Sequence, residues 1–239
     1  VQLHSDCTVQ FLDGKSKDGH NVLLHSTAHL MAQAVKRLFP KTKVTIGPFL
    51  ENRFYYDFDV VTPFTEEDLL KIEEEMLKIS KENIDIIHVE KSREEALKFF
   101  KNIAEDYKVE IINDIDDSEI LKVYAQGDFT DLCRGPHVQS TGMIKHFKLL
   151  SSSAAYWRGD ENNQTLQRVY GTSFTSEKDL KKYLLMLEEQ KKRDHRKIGK
   201  ELDLYFHDEE VGPGLPLWTP NGAVIIDELE ALAKEKEDL

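Results

Sequence analysis

The apolar residues of this chain change period along its length, and that change constrains the fold class more than any other feature. Residues 26–39 place Ala28, Met31, Ala32, Val35 and Leu38 at helical spacing and stop before Pro40, which predicts an amphipathic helix entered at His25. The period then falls to two: Phe54, Tyr56 and Phe58 alternate with Tyr55, Asp57 and Asp59, a strand over 52–59 paired with one over 43–49. Helical spacing returns after Thr65, where Leu69, Ile72, Met76 and Ile79 form one stripe through about Lys81. A strand is expected over 84–89, and Ser92 with Glu95 makes a capping box that opens a helix to Phe100. Further strands are expected at 108–112, 120–125, 128–133 and 145–150, and a long helix from Ser176 to about Ile198. Residues 1–22 read as extended and turn-like, with turns at Asp13-Gly14 and Asp18-Gly19. Helices interleaved with antiparallel-compatible strands define an α+β fold. The expected division is a lead-in over 1–19, a mixed domain over 20–175, a linker helix over 176–193 and the start of another domain over 194–239.

Composition sets the outer limits. A chain of 239 residues, 40% of them apolar, buries at least one sizeable core, which excludes a disordered or fibrous protein. The 32 basic and 44 acidic side chains give a net charge of −12, opposite to a surface built throughout to grip nucleic acid. That charge is uneven: residues 1–176 contribute −7, residues 177–200 contribute +4, and residues 201–239 contribute −9. Cys7 and Cys133 are too few for a disulfide framework, and Cys7 reads as a small apolar filler. No apolar run approaches the ~20 residues of a membrane span, so no membrane partner is expected and a reducing, cytoplasmic location is the default expectation. A start without methionine and a stop inside a charged helical pattern suggest a piece of a longer protein.

The residues that carry chemistry form two pairs, each with a three-residue gap. His25-Ser-Thr-Ala-His29 sets two imidazoles one helical turn apart on one face. Cys133-Arg-Gly-Pro-His137 lies at an expected strand end, broken by Gly135-Pro136 so that thiol and imidazole converge. Together they are a His₃Cys donor set of the sort zinc accepts. In one reading all four bind zinc and the metal activates a water. In another, the imidazoles and a nearby lysine position water and move protons directly, with the cysteine shaping the site. A Cys133 nucleophile activated by His137 is a third chemistry. A purely structural zinc is a fourth, although a core of this size needs no metal staple.

The pairing of His25-Ser-Thr-Ala-His29 with Asp131-Leu-Cys-Arg-Gly-Pro-His137 resembles the editing domain shared by threonyl- and alanyl-tRNA synthetases. Ile46-Gly-Pro, Phe54-Tyr-Tyr-Asp-Phe-Asp, Tyr156-Trp-Arg-Gly-Asp160, Leu166-Gln-Arg-Val-Tyr-Gly-Thr172 and the run from Arg193 to Tyr205 are similar to the bacterial threonyl branch. The resemblance implies a mixed α/β editing domain, a linker helix and a truncated class II catalytic segment. It implies hydrolysis of seryl-tRNA made in error by an enzyme that joins threonine to its tRNA. A synthetic pocket sized for threonine cannot sterically refuse serine, which lacks only a methyl worth ~1–3 kcal/mol of discrimination. By resemblance His25, Lys108, Asp131, Cys133 and His137 line the hydrolytic pocket, His29 completes the motif, and Gly47 and Tyr56 contact the substrate. His25 and Lys108 are expected to orient water and stabilise charge, Asp131 to hold the serine ammonium or hydroxyl, and Cys133 and His137 to shape the floor. The alanyl type carries this pattern as a zinc site and the threonyl type works without one, so no metal is expected here. Were zinc present, His25, His29, Cys133 and His137 would hold it. The expected partners are the acceptor end of threonine-specific tRNA and its mischarged serine. The parent is expected to be a homodimer that uses zinc and ATP-Mg in a synthetic site outside this sequence.

Other features carry two readings each. Phe54, Tyr55 and Tyr56 fit either base stacking or a strand core. Arg134, Lys145, Lys148 and Arg158 fit either tRNA phosphates or ordinary strand-edge exposure. Lys108, without the resemblance, reads as a strand-edge lysine. The competing functions are an alanyl-type or free-standing zinc-dependent deacylase, and a non-catalytic RNA-binding module with a structural zinc.

Overall fold

The computed structural model describes residues 8, 12–14, 16–117, 119, 121–212 and 214–237; Cys7 lies outside them. The chain divides into two compact units, Val1–Leu180 and Lys181–Leu239. The first unit opens with α1 (Lys17–Leu38), β1 (Lys43–Val44), β2 (Phe49–Leu50), β3 (Arg53–Asp59), α2 (Glu66–Glu82) and β4 (Ile86–Lys91). It continues with α3 (Arg93–Asn102), α4 (Asp106–Asp114), β5 (Leu121–Gln126), β6 (Phe129–Leu132), β7 (His146–Tyr156) and β8 (Thr165–Phe174). Among the described residues the strand pairings of this unit are antiparallel: one sheet runs β1-β3-β8-β7 with β2 also on β3, and a smaller sheet runs β4-β5-β6.

Helix α1 begins earlier than its apolar pattern suggests. Ser16 accepts the Gly19 N–H and caps the helix, so Asp18-Gly19 belongs to the first turn of α1 and not to a separate loop. The helix is also not amphipathic along its middle: Leu24, Ala28, Leu30, Met31, Ala32, Ala34 and Val35 are fully buried, as are Ser26, Thr27 and Gln33. Small side chains let it lie within the domain, against the β3–β8 face, α2 and the β6 hairpin. The absence of any Lys, Arg, Asp or Glu between Asp18 and Lys36 is the sequence trace of a helix covered on all sides.

The alternation in β3 holds as read: Phe54, Tyr56 and Phe58 are fully buried and join Met31, Ile72, Met76, Ile79 and Val169 in the main core. Thr65 and Asp68 form a reciprocal capping box at α2, and Ser92 and Glu95 do the same at α3. A second, smaller core of Ala96, Phe100, Ile112, Leu121 and Val123 joins α3 and α4 to the β4–β6 sheet.

Residues 108–112 form the middle of α4 and not a strand. Ile112 is buried and Val109 partly buried on the helix side of the small core, a spacing of three that a short β-branched run conceals. Glu105 seats this helix from its N-cap position: its buried carboxylate accepts the Val44 N–H at 2.9 Å and the Lys36 ammonium at 2.6 Å. Three elements meet there, β1, α1 and α4. The expected long helix from Ser176 is two: α5 (Glu177–Lys192) and α6 (His195–Glu201). Asp194 accepts the Arg196 N–H at 2.9 Å, and capping a new helix there wins over continuing the old one.

In the second unit, β9 (Tyr205–His207) and β10 (Pro216–Trp218) form a hairpin, followed by α7 (Pro220–Glu237). Among the described residues no helix is long and apolar enough to cross a membrane.

The Glu105 anchor gives a stability prediction. Glu105→Ala strands a buried N–H and an ammonium, and should cost about 1–3 kcal/mol in urea unfolding. Changing exposed Glu67 to alanine should stay within about 0.5 kcal/mol; equal effects would contradict the anchoring role.

Candidate active site

Five elements bring the expected residues to one place. α1 supplies His25 and His29, β3 supplies Tyr56, α4 supplies Lys108, β6 supplies Asp131, and the turn beyond β6 supplies Cys133 and His137. One ligand atom from each of His25, His29, Cys133 and His137 lies within 4.8 Å of all the others. The His25 and His137 ring centres are 4.5 Å apart and those of His29 and His137 are 4.3 Å apart. Cys133 Sγ stands 3.2 Å from His25 Nε2 and 3.2 Å from His137 Nε2, and accepts the Gly135 N–H at 3.2 Å.

The turn that closes the cluster needs glycine. Gly135 has φ +69, and its Cα lies against the Tyr124 hydroxyl, where a Cβ has no room. Tyr124 in turn packs its ring on His137, with centres 4.5 Å apart. The tyrosine, the glycine and His137 are thus one fitted wall.

Beside the imidazoles lies a buried ion pair. The Lys108 ammonium meets Asp131 Oδ1, and both side chains are at most 2% exposed. The Tyr56 hydroxyl donates to Asp131 Oδ2 at 2.7 Å, and Lys108 Nζ donates to the Tyr56 oxygen at 3.1 Å. His29 Nε2 stands 3.6 Å from Asp131 Oδ2. Gly47 packs flat on the Tyr56 ring, a contact that any Cβ would block. Tyr56 is fully buried, so its hydroxyl serves Asp131 and Lys108 here, while Gly47 is the surface that covers its ring.

Burial sets the charge states. It lowers His25, partly offset by Asp131 and reinforced by Lys108. It lowers His29 well below the ordinary value, helped by His25 and Lys108, and it strongly lowers His137, helped by His29 and His25. Burial pushes the Cys133 thiol up to about 12 despite the Gly135 N–H. Without a metal, the cluster is three neutral imidazoles and a protonated thiol. A thiol held in that form is a poor nucleophile, which disfavours the Cys133 attack weighed from sequence.

Among the described residues, two clefts of about 380 Å³ each include a cluster residue in their lining, His25 in one and Cys133 in the other. One is lined by Asp18, Asn21, His25, Phe49, Gly135 and Pro136. The other runs along Ile111, Ile115, Leu121, Leu132, Cys133 and Arg134.

Of the basic residues considered for phosphate contact, Arg134 is open, at 84% side-chain exposure, with Glu119 3.5 Å away. Lys148 is held by Glu73, and Arg158 by Glu110 and Asp114. Lys145 lies elsewhere, in a groove with Lys81, Asn83 and Gly142. Phe54 and Tyr56 are core, and Tyr55 carries the Arg168 guanidinium on its ring at 4.0 Å. Two site residues had no sequence signal: Tyr124, one alternating position of β5, and Ser26, which lies between the histidines.

This α+β architecture with its His/His/Cys/His cluster defines a class. Residues 121–170, which include Asp131, Cys133 and His137, match the family model described as the threonyl and alanyl tRNA synthetase second additional domain. The whole chain is similar to bacterial threonine–tRNA ligases. It is 53% identical to that of Anoxybacillus flavithermus over 98% of this chain and 36% of that protein. The figures are 52% for Symbiobacterium thermophilum, over 100% and 36%, and 54% for Clostridioides difficile, over 95% and 35%. The chain therefore corresponds to a part of a threonyl-tRNA synthetase, and spans little more than a third of the length of these relatives.

The charge states predict a pH profile for chelator-treated protein. The folded imidazoles bind fewer protons than unfolded ones, whose value is about 6.5, so stability is full above that pH and falls as pH drops below it. The folded thiol keeps a proton that an unfolded one releases above about 8.5, so stability falls again on the alkaline side. Urea midpoints should peak between these limits; a midpoint that rises from pH 6.5 to 5 would contradict the buried neutral cluster.

Proposed function

We propose that this cluster hydrolyses the ester of serine mischarged onto threonine-specific tRNA, within a cytoplasmic parent enzyme that attaches threonine to that tRNA with ATP. The observation that supports it is the meeting of neutral imidazoles with a buried ammonium–carboxylate pair in a cluster whose His25 and Cys133 line open clefts. A buried ion pair is weak evidence for stability and a frequent mark of a functional site. The acceptor end of the tRNA enters along a cleft, and the parent acts as a homodimer whose synthetic site uses zinc and ATP-Mg.

In the reaction His25, at the cleft wall, takes a proton from water as the water oxygen adds to the ester carbonyl. The fixed Lys108 ammonium offsets the charge that grows on the carbonyl oxygen, in surroundings too dry to screen it. The carbon–oxygen bond to the ribose then breaks, the ribose oxygen receives the proton back, and serine leaves as the free acid. Asp131, expected from sequence to hold the serine ammonium or hydroxyl, already accepts from Tyr56 and pairs with Lys108. We assign it to holding Lys108 in place. Discrimination follows from rigidity: Tyr56 is tied at its hydroxyl and covered by Gly47, so the wall cannot yield to the methyl of threonine.

The donor set fits a zinc ion, since three imidazole nitrogens and one sulfur converge. His25, His29, Cys133 and His137 would hold it, and it would supply Lewis-acid activation of water. We favour the metal-free form because the Lys108 ammonium already neutralises Asp131 and would repel a dication beside it.

The test is deacylation of seryl-tRNA by the purified chain with zinc content measured alongside. His25→Ala should lower the rate about 100-fold or more, threonyl-tRNA should be spared, and activity should survive a chelator. Stoichiometric zinc with chelator-sensitive activity would replace the metal-free mechanism by the zinc one. Deacylation unchanged in His25→Ala/Lys108→Ala would remove the enzymatic reading.

A further inference from the structure

Ser26 lies inside α1 with no exposed surface and makes three polar contacts through one oxygen. Its Oγ is 2.7 Å from the Val22 carbonyl, 3.0 Å from the Val138 N–H and 3.1 Å from His137 Nδ1. A hydroxyl carries one hydrogen. The Val22 oxygen only accepts, and two oxygens at 2.7 Å need a proton between them, so the Ser26 hydrogen points there. The Val138 N–H only donates. The remaining contact is then an Nδ1–H of His137 donating to Ser26.

We infer that Ser26 is a positioning residue that fixes His137 as the Nδ1–H tautomer and, through Cys133, sets the proton positions of Cys133 and His25. The bare His137 Nε2 faces Cys133 Sγ, so the thiol hydrogen is donated to it. The sulfur, its hydrogen thus committed, accepts from the His25 Nε2–H and from the Gly135 N–H. One directed chain results: His25 Nε2–H to sulfur, sulfur to His137 Nε2, His137 Nδ1–H to Ser26, and Ser26 to the Val22 carbonyl. Its consequence is that His25 keeps its lone pair on Nδ1, the nitrogen left to take a proton from water. The catalytic consequence rests on the hydrolase reading above; the tautomers do not.

The experiment is a long-range proton–nitrogen correlation of the histidine rings in the full, chelator-treated chain, with deacylation measured on the same samples. Wild-type protein should show His137 protonated at Nδ1 and His25 at Nε2; His137 protonated at Nε2 would overturn the inference. Ser26→Ala should mix the tautomers of both rings and lower kcat on seryl-tRNA about tenfold or more, with KM little changed and a cooperative thermal transition retained. Ser26→Thr, which keeps the hydroxyl, should restore both readouts. A Ser26→Ala spectrum identical to wild type would also overturn the inference. Should Ser26→Ala not fold, the wild-type tautomers decide alone. Tautomers as inferred in a protein that does not deacylate seryl-tRNA would remove the hydrolase reading and leave the Ser26 assignment standing.

Discussion

The Asp131 carboxylate is the interaction on which the site depends. It joins β6 to α4 through Lys108 and to β3 through Tyr56, and it faces α1 at His29. Four elements separated in sequence are thereby held by one buried charge. Removing a partner from such a pair leaves the other charge unsolvated, at a cost of about 3–5 kcal/mol. That cost keeps the ammonium from leaving, and Glu105 keeps the helix that bears it from drifting. The imidazoles then have a rigidly held ammonium–carboxylate pair as their neighbour.

Around that hub the protein keeps its other titratable groups uncharged. Burial holds three imidazoles and a thiol in neutral form, so each has both a proton and a lone pair to direct. Neutral imidazole is the form needed to take a proton from water, and a neutral thiol links two rings without adding charge. The same arrangement explains why the donor set would take a metal if one displaced the thiol hydrogen. The choice between the two chemistries lies in the local charge balance, where Lys108 weighs against a dication.

Much of this was legible in the residues. Thr65/Asp68 and Ser92/Glu95 announce helix starts by chemistry that acts within four residues, and the alternation of Phe54, Tyr56 and Phe58 marks a half-buried strand. The site residues His25, His29, Cys133 and His137 could be grouped because each pair has a spacing that one local element brings together. Lys108 could not be placed by such reasoning: Tyr-Lys-Val-Glu-Ile-Ile has the β-branched content of a strand, and its helix is set by contacts distant in sequence, Ile112 in the small core with α3 and β5 residues and Glu105 on β1 and α1. Asp194 hid a helix break because its effect depends on which backbone N–H it captures. Ser26 and Tyr124 act through contacts across more than a hundred residues or onto a glycine turn, and no local pattern encodes those. The net charge of −12 likewise says little about the site, because −9 of it falls in residues 201–239.

The proposed hydrolysis requires that this cluster hold a seryl ester and refuse a threonyl one. The most direct measurement is titration of the full chain with a non-hydrolysable seryl-amide of adenosine, read by the histidine ring nitrogens and a binding isotherm. Shifts at His25, His29 and His137 should saturate with binding, and the threonyl analogue should bind at least tenfold more weakly, the scale that one methyl allows. Equal affinity for both analogues, or saturable binding that leaves all three rings unmoved, would contradict it.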